Sequence, residues 1–310
     1  MKVASVIVTY NRKKLLIECI NAILEQTYDV DKIIIVDNNS TDKTFSELKE
    51  KGYISNNKID YVKLEKNIGG AGGFYEGMKK AYKEKFDWVW IMDDDTIPEK
   101  ECLENLIKSI NIIKEKNISF LASTVFGENK EVMNVPQIDR IPDENGYQGW
   151  YRYLENGIVR IEQATFVSLL INIKAIEKCG LPIKDYFIWG DDTEYTRRIT
   201  KFFGKAYFIG ESKVIHKRKN ARNLTILNEE NANRIRNYYY MIRNNLINAK
   251  LYRGAKGIIK TLLDDIILSF KVLFKKNKYK MKKFLIIYKG IFAYIFRVYD
   301  TKEVKNRFRI

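Results

Sequence analysis

The chain has 310 residues, 30% of them charged and 45% hydrophobic, with only 17 Gly and 4 Pro, which excludes a disordered, collagenous or low-complexity protein. Cys19, Cys102 and Cys179 lie far apart with no Cys-x-x-Cys pair, so neither a disulfide framework nor a zinc site is expected and a reducing, cytoplasmic setting fits. The net charge of +16 is uneven: residues 1–216 carry 31 Lys and Arg against 33 Asp and Glu, while residues 217–310 carry 24 against 6.

The opening run Val3 to Val8 is too short for a signal peptide and lacks a small-residue cleavage site, so it reads as a first strand. Leu15, Leu16, Cys19, Ile20, Ile23 and Leu24 then recur at helical spacing. The unit repeats: Lys32 to Val36 is a buried-type strand, Asn38 to Asp42 is turn chemistry and Phe45 to Lys51 is a short helix. Ile59 to Leu64 predicts a third strand, Phe74 to Lys85 a helix and Asp87 to Met92 a fourth strand. Such alternation predicts an α/β fold, a parallel sheet with helices on both faces.

After Pro98 a helix is expected to about Lys116, followed by a strand near Ser119 to Val125. Residues 127–157 lose all periodicity and collect Pro136, Pro142, Gly146 and Gly149, which predicts a long functional loop or lid. Order returns with a strand from Thr165 to Ile171, a short helix to Cys179, a helix through Phe203, and strands at Ala206 to Ile209 and Lys213 to Ile215. The last third, rich in Ile, Leu, Tyr and Lys, reads as amphipathic helices. Its most apolar stretch, Phe284 to Phe296, is interrupted by Lys289 and too short to span a bilayer, so no transmembrane helix is expected.

In an open α/β sheet, ligands bind beyond the carboxyl ends of the strands. The residues there are Thr9-Tyr10-Asn11-Arg12, Asp37-Asn38-Asn39-Ser40, Asn67-Ile68-Gly69-Gly70 and Asp93-Asp94-Asp95. Asp93 and Asp95 point to one side of an extended segment and could share a hard divalent metal; the alternative is a solvated helix N-terminus. His216, the single histidine, is either structural or a third metal ligand at another strand end. The glycine-dense stretch Asn67 to Phe74 fits neither the dinucleotide nor the triphosphate fingerprint. It reads as backbone approaching a nucleotide at a helix start, or as a tight turn for strand–helix packing. In Phe187 to Tyr195, Asp191 and Glu194 match a capping box, while Asp192 is positioned to project into the cleft as a general base.

Taken together, these clusters resemble family 2 inverting glycosyltransferases of the GT-A fold, over roughly Met1 to Lys219. The carriers are Val6 to Arg12, Val36 to Asp42, Asn67 to Phe74, Trp90 to Asp95 and Trp189 to Tyr195. The last of these and the glycine stretch are most similar to bacterial galactofuranosyltransferases and rhamnosyltransferases of cell-surface polysaccharide synthesis. The resemblance implies a catalytic domain at residues 1–219, with a nucleotide-sugar half at about 1–98 and an acceptor half at about 99–219, and a basic helical region at 220–310. It implies donor contacts from Thr9, Tyr10, Arg12, Asp37, Asn39, Asn67, Gly69, Gly70 and Asp94, and Mn²⁺ or Mg²⁺ on Asp93, Asp95 and His216. Asp192 would be the base, with Trp189, Asp191, Glu194 and Tyr195 on the acceptor side. Lys66 departs from the Arg that related sequences often carry before the Asn, which would keep a charge but lose a bidentate contact.

The expected donor is UDP-galactofuranose, with dTDP-rhamnose as the alternative, and the expected acceptor is a lipid-linked or growing glycan. The basic last third predicts peripheral attachment to the anionic inner face of the plasma membrane, the alternatives being a solvated helical module or an oligomer interface. A nucleotidyltransferase also uses paired carboxylates and a metal. A nucleic-acid-binding protein is supported by charge alone, with no recognised module and with acidic strand ends that repel phosphate.

Overall fold

Strands built almost wholly of Val, Ile and aromatic residues need cover on both faces, and this sets the layering. The computed structural model describes residues 1–218 and 225–301; the expected boundary at 219/220 lies outside the described residues. The chain runs β1 (Val3–Thr9), α1 (Lys13–Leu24), β2 (Lys32–Asp37), α2 (Thr44–Glu50), β3 (Ile59–Lys63), α3 (Gly69–Lys83), β4 (Trp88–Asp93) and β5 (Thr96–Pro98). It continues through α4 (Cys102–Ile112), β6 (Ile118–Phe126), β7 (Val132–Met133), β8 (Gln137–Ile138), β9 (Ile158–Gln163), β10 (Leu169–Asn172), α5 (Ile173–Cys179), α6 (Asp191–Phe202) and β11 (Lys205–His216). Helices α7 (Ala232–Ile235), α8 (Tyr238–Phe274) and α9 (Lys280–Ile295) follow.

The sheet order is β3-β2-β1-β4-β10-β6-β11-β9-β8. From β3 to β11 every strand except β10 points the same way, so the central sheet is mostly parallel as expected. The chain steps outward from β1 to β3 and then returns to lay β4 on the other side of β1. That reversal opens a crevice at the carboxyl ends of β1 and β4.

Alternate residues of β1 supply two cores. Val3 and Ile7 pack with Leu16 and Ile20 of α1 and Leu103 and Leu106 of α4. Ala4, Val6 and Val8 pack with Phe74 and Met78 of α3, Ile176 of α5 and Ile199 of α6.

Several expectations are corrected. Helix α3 starts at Gly69, so the glycine-dense stretch forms its first turns and is not a loop. A Cβ at Gly73 would meet Val8 Cγ1 at 2.4 Å and one at Gly77 would meet Val6 Cγ1 at 2.3 Å. Close packing of α3 on β1 thus overrides the poor helix propensity of glycine. The two strands expected after residue 205 are one strand, β11, with irregular pairing between Ile209 and Lys213. The segment 127–157 carries β7, β8 and two 3₁₀ turns, and buried Arg160 ties it down through Asp139 at 3.0 Å and Asp143 at 2.6 Å. Strand β9 begins at its end, and β10 starts at Leu169 rather than Thr165.

Gly69 has φ +77°, and a Cβ there would lie 2.0 Å from the Phe187 carbonyl oxygen, whereas Gly70 faces open space. Gly69→Ala should therefore cost about 3 kcal/mol of stability, while Gly70→Ala should be neutral or stabilising by up to about 1 kcal/mol. Urea unfolding of the two variants side by side checks this; equal midpoints would contradict the packing.

Candidate active site

Strand β4 ends at Asp93, and Asp94 and Asp95 form the turn into β5. Strand β5 pairs with the end of β11, setting Thr96 opposite His216, and Lys217 N–H donates to the Asp95 carbonyl at 2.8 Å. Backbone pairing thus carries His216, 121 positions after Asp95, to the same point. One ligand atom each from Asp93, Asp95 and His216 lies within 4.8 Å of the others.

Burial makes this cluster electrostatically tense. Burial, then the neighbouring charge of Asp95, pushes Asp93 up to about 7. Burial pushes Asp94 up to about 6 against the pull of Arg12. For Asp95 burial acts the same way, but His216 and Arg12 outweigh it and hold the carboxyl below its ordinary value. The Arg12 guanidinium lies 2.5 Å from Asp95 Oδ2 and 3.3 Å from Asp94 Oδ1. Thr9, at the end of β1, donates its hydroxyl to Asp94 at 2.7 Å.

The donor set fits a hard divalent cation. Asp95 Oδ1 is buried without a hydrogen-bond partner and faces His216 Nε2 at 3.2 Å. The other ring nitrogen, Nδ1, is 3.1 Å from Asn134 Oδ1. With its proton on Nδ1, toward Asn134, the neutral ring presents the Nε2 lone pair to a carboxylate oxygen; burial disfavours the charged ring, but Asp95 and Asp93 outweigh it and raise His216, which favours a second proton on Nε2. Two acceptors at that distance require a proton or a cation between them.

Across the crevice stands the N-terminus of α6. Asp191 is buried, and burial, then Asp192 and more weakly Asp93, raises it to about 8. Asp192, half-buried and also raised mainly by burial, accepts the Thr193 N–H at 2.6 Å. The cap of α6 is Gly190 with φ +89° and no side-chain cap bond, so the capping box expected from Asp191 and Glu194 is not formed. Glu194 is fully buried, paired with Arg198 at 2.8 Å and accepting the Tyr252 hydroxyl at 2.8 Å. Tyr195 is fully buried in the core beside Phe166. Neither has a face left for an acceptor sugar, which corrects the acceptor-side expectation for both. Half-buried Trp189 packs on Tyr238 with ring centroids 4.9 Å apart.

The remaining expected donor residues form a second group at the ends of β2 and β3. Asp37 is buried and accepts Ser40 N–H at 2.7 Å and the Tyr61 hydroxyl. Asn39, at φ +64°, donates to the Glu65 carbonyl at 3.1 Å, and Asn67 accepts Gly69 N–H at 2.8 Å at the start of α3. Tyr10, directly after β1, is exposed, and Gly70 is open.

Residue patterns did not find the clamp behind α6. Phe187, Trp189 and Gly190 all have positive φ, a costly conformation for the two aromatics. Asn244 of α8 donates its amide to the carbonyls of Tyr186 at 3.0 Å, Ile188 at 3.2 Å and Trp189 at 2.7 Å. Arg243 holds the Asn244 oxygen at 2.9 and 3.0 Å, and Asn248 donates to the Gly190 carbonyl at 3.0 Å. Asn134 escaped notice for a similar reason: it lies in the aperiodic 127–157 segment.

Two outcomes follow. Asn244→Ala leaves three carbonyls of a strained loop without their donor and should cost about 3 kcal/mol, read by thermal unfolding. Asp191 titrates near 8 in the fold against an ordinary 3.8, so its stabilising proton is fully held below the lower value and lost as pH rises through the upper one. In chelator, the wild-type melting temperature should therefore fall between about pH 4 and pH 8, and Asp191→Asn should fall less; parallel profiles would refute the burial effect.

Against known proteins, residues 5–167 match the family model described as glycosyl transferase family 2. Galactofuranosyltransferase GlfT1 of Mycolicibacterium smegmatis is 26% identical over 212 residues, covering 64% of this chain and 65% of that protein. GlfT1 of Mycobacterium tuberculosis is 37% identical over 94 residues, 30% of each chain. The chain therefore matches less than two thirds of the length of these relatives. Among solved structures, S. aureus TarS 1-349 in complex with UDP-GlcNAc superposes with a TM-score of 0.58 at 16% identity, covering 96% of this chain and 83% of that one, a likeness of fold. Since the family match spans more than half of the chain and the crevice carries the expected carboxylates, the protein belongs to glycosyl transferase family 2.

Proposed function

We propose that the protein is a metal-dependent inverting glycosyltransferase that moves a sugar from a nucleoside diphosphate donor to a hydroxyl of a lipid-linked or growing cell-surface glycan. What supports this most is the convergence of Asp93, Asp95 and His216 in the β1/β4 crevice, opposite the carboxylate pair that opens α6. Galactofuranose is the favoured sugar, because two of the relatives are named galactofuranosyltransferases; dTDP-rhamnose is the alternative donor. Residues 1–98 would bind the donor and residues 99–219 the acceptor.

In this reading Asp93, Asp95 and His216 would hold Mn²⁺ or Mg²⁺, which supplies charge neutralisation for the leaving nucleoside diphosphate. Asn134 keeps the His216 proton on Nδ1 and so leaves Nε2 free. Arg12 and Thr9 orient Asp94 and Asp95 along the donor side, while Asp37, Asn39 and Asn67 line the way to the nucleoside. Asp192 accepts the proton of the attacking hydroxyl, and attack from the face opposite the leaving group inverts the anomeric centre without a covalent intermediate. Asp191, held above its ordinary carboxylate value by burial and by Asp192, stands beside the base on the acceptor side, and Trp189 offers an apolar face to a sugar ring.

The test is binding and turnover of a nucleotide-sugar panel with and without Mn²⁺ or Mg²⁺. One donor should be consumed only with metal, Asp95→Ala should lose binding and turnover, and Asp192→Asn should bind donor yet lose transfer by about 10²–10⁴-fold. Donor binding that ignores both the metal and Asp95→Ala would sink the proposal, and nucleotide transfer in place of sugar transfer would mark a nucleotidyltransferase.

A further inference from the structure

Helix α8 changes character at Gly254, where φ +60° and ψ −155° interrupt the helix. Before the break its buried residues are mainly large or clamp the α6 loop: Tyr238, Ile242, Arg243, Asn244, Leu246 and Ile247. Beyond it the buried row is Gly257, Thr261, Asp265, Ser269 and Val272, spaced by four and three and largely small or polar. The exposed row of the same stretch is Ile259, Leu263, Ile267, Phe270 and Phe274, between 49% and 81% exposed. Leu262, Leu268 and Val272 still pack inward against Ile287 and Ile291 of α9, so the outward row is a second apolar face on a helix whose first is already covered, more than a water-facing helix presents. On α9 and the residue that ends it, Met281, Leu285, Phe292, Ile295 and Phe296 are likewise more than half exposed.

Lysines accompany these apolar rows. Residues 255–296 hold ten lysines against two acids, Asp264 and Asp265. Burial, then Asp264, raises Asp265 to about 7, which weakens one of those two negative charges near neutral pH. Lys256, Lys260, Lys271, Lys275 and Lys276 are exposed along α8 and the turn that follows it.

We infer that the α8–α9 hairpin beyond Gly254 seats its outward apolar rows in the surface of an anionic lipid bilayer, with the flanking lysines among the headgroups. An exposed apolar row wants a medium other than water, and the lysine excess gives that medium a negative sign. No helix among the described residues is long and apolar enough to cross a membrane, so the hairpin lies on the surface and does not span it. The inference deepens the reading of a lipid-linked acceptor and rests on it for its purpose. The Asn244 clamp lies before the Gly254 break, and α9 packs on that half of α8 through Ile287, Gly290 and Ile291 against Ile242 and Leu246, so docking would hold the α6 carboxylates at a fixed place relative to the bilayer.

The experiment is flotation of the full chain with vesicles of phosphatidylcholine alone and of phosphatidylcholine with an equal part of phosphatidylglycerol, beside a donor-binding measurement in solution. The chain should float with the anionic vesicles and be released by salt. Leu263→Glu with Phe270→Glu should lower that partition about tenfold or more, and Lys275→Glu with Lys276→Glu should weaken binding to anionic vesicles alone. Donor binding should be unchanged in both variants. The inference is overturned if the wild type stays unbound with both vesicles. It is equally overturned if the wild type self-associates in solution and the Leu263→Glu, Phe270→Glu pair dissolves that oligomer, since the face is then a contact between copies. Vesicle binding lost with donor binding kept refutes the surface alone; donor binding lost with vesicle binding kept refutes the catalytic reading alone.

Discussion

Three consecutive carboxylates at the end of a dry strand are the constraint that organises this protein. Asp93, Asp94 and Asp95 follow Trp88 to Met92, a strand with almost no access to water. Their repulsion is answered from three directions: Thr9 and Arg12 from the end of β1, and His216 from the end of β11. The answer is incomplete, since Asp93 remains well above the ordinary carboxylate range and the contact of Asp95 Oδ1 with His216 holds only while Nε2 carries a proton. A site left short of positive charge in this way is suited to bind a cation.

The opposite wall of the crevice meets a different difficulty. Two carboxylates open α6 straight after a backbone with three positive φ angles in four residues. Such a loop persists only if its surroundings over-determine it. Here Asn244, Asn248 and Arg243 of α8 do so, together with Ala71 N–H, which donates to the Phe187 carbonyl at 3.1 Å. The first half of α8 is therefore part of the framework that holds the candidate site. Only beyond Gly254 does the hairpin turn its apolar side chains outward.

Much of the site was legible because its signals are local. Polar residues directly after buried strands mark ligand-facing ends in any α/β sheet, and Thr9, Asp37, Asn67 and Asp93 to Asp95 all lie at such ends. The misreadings had physical causes. The glycines of α3 read as a loop because helix propensity is a local quantity, while their use is close approach to Val6, Val8 and Phe187. Glu194 read as a cap because its spacing from Asp191 fits one, yet a buried Arg198 four residues on competes more strongly for the carboxylate.

By itself the amino-acid sequence determined the α/β alternation, the carboxylate clusters at the strand ends and the basic C-terminal third, because these depend on hydrophobic period and residue type within short windows. The tertiary structure alone decided that His216 meets both Asp95 and Asn134, that Asn244 holds the loop before α6, and that the far half of α8 leaves a second apolar face outward. Each of these joins residues tens of positions or more apart, or depends on which face of a helix the rest of the chain covers. Strand pairing and packing settle such matters through backbone hydrogen bonds and burial, which no local pattern of side chains records.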